Sequence, residues 1–181
     1  MSFDFLKDLQ AVELLENANL QKFTTIRLKA RGSIALVSTL PELRELILRL
    51  RERKIHYHLI GWGSNQIISN TKNTLFIKLK MPLDRGVFKQ PQDEYALPAS
   101  APLNILQAHA QKFGLKGWEA FTGVPASLGG AIYMNAGTAL GEIGALVTTV
   151  TLMGVDGELK TIKTGKKSFG YRQNYFVEAG E

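Results

Sequence analysis

The sequence predicts an α+β protein built as two lobes. Residues 20–80 alternate short β-branched runs with one amphipathic helix, which is the pattern of a small mixed sheet with a helix packed on it. The stretch "KMPLDRG" (80–86) then breaks that pattern with Pro82 and Gly86, and a second series of elements follows. The chain is 45% hydrophobic and 21% charged over 181 residues, enough for one sizeable domain or two small ones. The expected lobes are 1–80 and 81–181.

Taken in order, the first twenty residues read as a helix, with Phe5, Leu6, Leu9, Val12, Leu15 and Leu20 roughly on one face. "TTIRLKARGSIALVST" (24–39) reads as two strands joined near Arg31 and Gly32. Pro41 opens a helix where its missing N–H costs nothing, with Thr39 as its cap and Leu43, Leu46, Ile47 and Leu50 as its apolar stripe. "IHYHLI" and "TLFIKL" are strands on either side of a glycine turn. In the second lobe, "LNILQAHAQKF" (103–113) is a helix stopped by Gly114. "SLGGAIYMNA" opens a short helix. "LVTTVTLMG" and "LKTIKT" form a hairpin around Asp156 and Gly157.

Composition excludes several classes of function. Cysteine is absent, which removes disulfides, thiolate catalysis and cysteine-ligated metals and fits a reducing, cytoplasmic setting. No apolar run approaches the ~20 residues that span a bilayer, and the N-terminus lacks the basic start of a signal peptide. The net charge is +6, yet the arginines of 44–54 alternate with Glu42, Glu45 and Glu52, and only "KTIKTGKK" (160–167) is densely basic. Neither nucleic acid nor a membrane is therefore expected as a partner. His56 and His58 alternate on a strand with no third ligand at a supporting spacing, so no metal site is expected. Trp118 is read as filling space between the lobes, and Tyr133 as a helix-packing residue.

Two glycine-rich stretches carry the chemistry. "GWGSNQ" (61–66) stops a strand with a permissive turn and loads it with small polar side chains. It is neither the dinucleotide fingerprint, because Gln66 stands where the third glycine belongs, nor a P-loop, because no Gly-Lys-Ser/Thr ends it. "GVPASLGGAIYMNAG" (123–137) contains four glycines and little bulk. Each stretch has two readings: a tight turn packed against a sheet, or a backbone that an anion approaches closely.

"HLIGWGSNQIIS", "GWEAFTGVPASLGGAIYMNAG" and "FGYRQNYF", in this order and at these separations, resemble the family of UDP-N-acetylenolpyruvoylglucosamine reductases. That family lies within the flavoprotein superfamily of vanillyl-alcohol oxidase and p-cresol methylhydroxylase. The resemblance runs from about Phe23 to Phe176. It implies FAD held between two α+β lobes, NADPH as hydride donor, and a UDP-sugar enolpyruvate reduced to UDP-N-acetylmuramate for peptidoglycan, by a cytoplasmic monomer. It implies further that Gly61, Gly63, Ser64 and Asn65 hold the FAD pyrophosphate. Pro125, Ser127, Gly129, Gly130 and Asn135 would line a second cofactor loop, and Arg172 is the catalytic arginine that binds the substrate carboxylate. Two departures stand out. Thr25 matches a family threonine, but Lys29 and Ala30 occupy glycine positions. The family's third, substrate-binding domain, with its proton-donating serine and late glutamate, has no counterpart in these residues. The alternative reading is a non-catalytic flavin- or nucleotide-binding module acting as a partner subunit.

Overall fold

The structure is a computed structural model that describes residues 2–69, 71–165 and 167–177. Lys166, part of the basic segment 160–167, lies outside the described residues. The chain divides into two compact units, Met1–Met81 with Met153–Leu159, and Pro82–Leu152 with Lys160–Glu181.

The first unit is a four-stranded sheet in the order β1-β2-β4-β3, made of β1 (Val12–Asn19), β2 (Arg31–Val37), β3 (His56–Leu59) and β4 (Thr74–Leu79). β2 and β3 both run parallel to β4, which sits between them, while β1 pairs antiparallel with β2. The two central strands read as near-continuous apolar runs, as strands covered on both faces do. Ile34, Ala35, Leu36 and Val37 are buried, as are Leu75, Phe76 and Ile77. Helix α1 (Leu40–Glu52) connects β2 to β3 and lays Leu43, Leu46, Ile47 and Leu50 on one face of the sheet, against Ala35, Val37, Leu75 and Ile77. Thr39 occupies the cap position, but its side chain makes no capping bond. Glu42, in the first turn, instead accepts from the Ala11 N–H, which ties the N-terminal segment to the helix. Arg49 adds a two-point contact to Asp8, at 2.5 and 2.8 Å.

Two expectations fail here. Residues 2–19 are not an α-helix: a 3-10 turn at Asp4–Leu6 leads into β1, which carries a bulge between Leu15 and Ala18 where Asn17 takes φ 49°. The apolar positions fit either period, and the open edge of β2 decides for a strand, because its buried backbone groups need an antiparallel partner. Residues 24–30 are not a strand either. Arg27 has φ 54°, outside the extended region of regular strand pairing, and Thr25 bonds to the glycine turn instead.

The second unit has helix α2 (Leu103–Phe113), closed by Gly114 at φ 65°, and the short helix α3 (Leu128–Tyr133). Two-residue strands β5 (Gly137–Thr138) and β6 (Gly141–Glu142) pair with each other. Later come β7 (Thr149–Met153), β8 (Leu159–Lys163), β9 (Phe169–Gly170) and β10 (Gln173–Asn174). β7 and β8 form the expected hairpin, turned at Gly157 with φ 77°. Its tip, Met153–Leu159, is grouped with the first unit, where Glu158 meets Arg44 at 2.8 Å. The core of the second unit joins Ala101, Leu103, Leu106, Phe121, Ala126, Ala131, Ala136 and Ile143. Trp118 is half-buried against that same core, with Tyr95 5.3 Å and Phe121 5.9 Å away between ring centres. Tyr133 is 56% exposed rather than packed. No described helix is long and apolar enough to cross a membrane.

Leu50 is fully buried where α1 meets the sheet. Leu50→Ala is expected to cost about 2–5 kcal/mol, read as a lower urea midpoint at unchanged slope.

Candidate functional site

Parallel neighbours cannot be joined by a tight hairpin, so the chain leaving β3 must cross back before β4 begins. It does so through residues 60–73, which start at the C-terminal ends of the parallel strands and carry "GWGSNQ". In sheets with parallel strands, ligands sit beyond that end.

The turn is held by its carbonyls. Gly63 has φ 62°, and a Cβ there would lie 2.7 Å from Thr24 Cα and 2.8 Å from the Phe23 carbonyl oxygen. The Gly63 carbonyl accepts from both the N–H and the hydroxyl of Thr25, each at 3.4 Å. The Gly61 carbonyl accepts from the Lys78 ammonium. Among the described residues, the N–H groups of Gly61, Trp62, Gly63 and Ser64 donate to no protein acceptor. A left-handed residue within consecutive free N–H groups forms a concavity suited to an anion. Ser64 and Asn65 are exposed beside it. Behind the turn, Gln66 Nε2 reaches the Leu59 carbonyl at 2.9 Å and His58 Nε2 at 3.0 Å. His56 and His58 both lie exposed on β3, and the described residues contain no cluster of three metal-ligating side chains.

The second glycine stretch is built differently. The first turn of α3 has its donors occupied: Leu128 N–H gives to the Ala101 carbonyl at 2.7 Å and Gly129 N–H to the Ala99 carbonyl at 2.8 Å. Gly130 N–H gives to Ser127 Oγ at 3.4 Å, and Ala131 N–H to the Ser127 carbonyl at 2.9 Å. Of the two readings of this stretch, its helix start follows the packed turn rather than a backbone open to an anion. Gly129 is structural, since a Cβ would fall 2.7 Å from that of Ala99. Pro125 and Gly130 are exposed, and the only atom near a Cβ on Gly130 is Ser127 Oγ at 3.2 Å.

Asn135 is 1% exposed, with φ 41°. Its amide donates to Glu142 Oε2 at 2.6 Å and to the Gly170 carbonyl at 2.9 Å, while its oxygen accepts from Gly144 N–H at 3.0 Å. Its side chain is thus committed to joining α3, β6 and β9. Arg172, also with positive φ (57°), is exposed and gives one bond to the Gly137 carbonyl at 3.1 Å. No carboxylate pairs with it among the described residues. Sequence reasoning missed Lys78 and the Asn135 network. The only signal for Lys78 was a charge directly after the buried run "LFI".

A family model described as FAD binding domain matches residues 33–163, well over half of the chain. The chain belongs to the FAD binding domain family. Within this FAD-binding family, it is 31% identical over 175 residues to the UDP-N-acetylenolpyruvoylglucosamine reductase of Lactobacillus johnsonii, covering 95% of this chain and 58% of the relative. The crystal structure of the corresponding reductase from Thermus caldophilus superposes with TM-score 0.68 at 27% identity, covering 92% of this chain and 57% of that one. Cholesterol oxidase from B. sterolicum shares the fold at TM-score 0.53 and 17% identity, over 84% of this chain and 33% of that one. The expected p-cresol methylhydroxylase-type fold is borne out. The chain spans somewhat more than half the length of the reductases it matches.

The glycines divide by role. Gly63→Ala should destabilise the chain by about 2–4 kcal/mol through positive φ and backbone overlap, whereas Gly130→Val should change stability by no more than about 1 kcal/mol. Asn135→Ala removes a buried side chain and strands three partly buried partners, and should cost about 2–3 kcal/mol. Thermal midpoints measured without ligand check all three.

Proposed function

We propose that this chain is the flavin-binding part of a UDP-N-acetylenolpyruvoylglucosamine reductase, an NADPH-dependent cytoplasmic enzyme of peptidoglycan precursor synthesis. The observation that carries the proposal is the glycine turn, in which the Gly61 and Gly63 carbonyls are drawn inward while, among the described residues, the N–H groups of Gly61 to Ser64 meet no protein acceptor. A pyrophosphate suits such a donor set, because several short N–H bonds share its charge. Gly61, Gly63, Ser64 and Asn65 would hold it. Around α3, Pro125 and Gly130 offer surface for cofactor contact, while Ser127, Gly129 and Asn135 act by fixing that surface.

FAD, when bound and first reduced by hydride from NADPH, would supply hydride to the vinyl carbon of the enolpyruvyl group. Arg172 would hold the substrate carboxylate through a planar two-point contact. As charge develops on that carboxylate, a guanidinium already free of carboxylate partners stabilises it without first breaking an ion pair. The left-handed backbone at Arg172 and its bond to the Gly137 carbonyl restrict where the guanidinium can point. Proton return to the neighbouring carbon is assigned to no side chain among the described residues.

FAD should quench its fluorescence on binding to this chain, and FMN, with one phosphate, should bind far more weakly. Equal affinity for both would remove the pyrophosphate reading. Gly130→Val should block FAD while leaving the chain folded. In a protein carrying the remaining length of its relatives, Arg172→Ala should keep FAD and lower turnover by about 10²–10³-fold. Arg172→Lys should recover little. Turnover of wild-type size in Arg172→Ala would end the catalytic assignment.

A further inference from the structure

The chain places one cation directly under the glycine turn, and no motif assigns it. Lys78 is the fifth residue of β4 and points past the C-terminal end of β3, where its Nζ donates to the Gly61 carbonyl. It is half-buried. Among the described residues, no carboxylate lies within ion-pair distance of it. The nearby Lys80 is different, being exposed and paired with Glu13 at 3.3 Å.

This arrangement is unfavourable in isolation. A peptide carbonyl needs only a neutral donor, and an ammonium removed from water with one neutral acceptor recovers little of its hydration. Burial accordingly holds Lys78 below the usual lysine range, with the Lys80 charge acting in the same direction. The missing element is an anion. The turn bonded to Lys78 is the same turn that leaves the N–H groups of Gly61 through Ser64 unpaired. Donors and cation therefore converge on one place.

We infer that Lys78 is a binding residue for the cofactor pyrophosphate: it draws the Gly61 carbonyl inward, turns the neighbouring N–H groups to the ligand, and supplies the positive charge behind them. This rests on the reading of the turn as the FAD phosphate site. The charge acts at short range in a partly desolvated position, where one ion pair changes affinity by about ten- to hundredfold. It also makes binding sensitive to ionic strength.

The test uses the whole chain with Lys78→Met, which removes both charge and donor, and Lys78→Gln, which keeps a neutral donor. FAD, ADP and riboflavin are titrated by fluorescence or calorimetry at low and high salt, and the ligand-free thermal midpoint is recorded. Both variants should lose about ten- to hundredfold in affinity for FAD and ADP, with a flatter salt dependence and an unchanged or higher midpoint. Riboflavin, which has no phosphate, should bind all three proteins alike. Wild-type affinity for FAD in both variants would overturn the assignment of Lys78 alone. So would loss of the folded state in both, which would make Lys78 part of the fold. A wild-type chain that takes up no FAD removes the cofactor reading, and this inference with it.

Discussion

The approach of residue 63 to the backbone of Thr24 is the contact on which the rest of the site depends. A side chain at that position would stand within 2.8 Å of two backbone atoms, so the turn can seat only with glycine. Once seated, its carbonyl meets Thr25 and the neighbouring Gly61 carbonyl meets Lys78. A peptide unit whose oxygen points inward presents its N–H the other way. Two anchored carbonyls thus orient a short run of donors outward, at the ends of the parallel strands where the chain must cross over in any case.

The second unit solves a related problem by another route. Its glycines do not leave donors free; they let α3 press against Ala99 while the donors of its first turn are satisfied internally. Asn135 completes the arrangement, with both ends of its amide engaged by three different segments. Such a fully satisfied buried network costs little and holds a surface rigidly. Arg172 then hangs from the Gly137 carbonyl two residues beyond β9 and is left without an ion-pair partner among the described residues.

Charge follows the same division. The net +6 suggests an anionic partner, yet much of the arginine on α1 is spent inside the protein. Arg49 is bound by Asp8 and Glu45, Arg44 by Glu158, and Arg53 by Glu52. These contacts fasten the N-terminal segment and the hairpin tip to the helix. Exposed pairs of this kind contribute little to stability, but they remove those arginines from any continuous basic face. Lys78 and Arg172 instead each donate to a glycine carbonyl, of Gly61 and Gly137.

The sequence by itself determined the elements whose signals are local. Helix α1 is legible from Pro41 and its apolar stripe, α2 from Gly114, and the hairpin from Asp156 and Gly157, because capping and turn geometry depend on a few adjacent residues. That glycine must stand at 63 and 129, by contrast, follows from the tertiary approach of Thr24 and Ala99. What the sequence could not determine were choices made by distant partners. Residues 12–19 became a strand because β2 needed an edge, and residues 24–30 lost their strand because Thr25 was claimed by Gly63. Whether an N–H in a glycine-rich stretch is free for a ligand was likewise settled far away. Ala99 and Ala101 take the first donors of α3, whereas Thr25 and Lys78 take the Gly63 and Gly61 carbonyls and, among the described residues, leave the N–H groups of Gly61 to Ser64 without a protein acceptor. A hydrogen bond belongs to two residues, and only the tertiary structure decides which two.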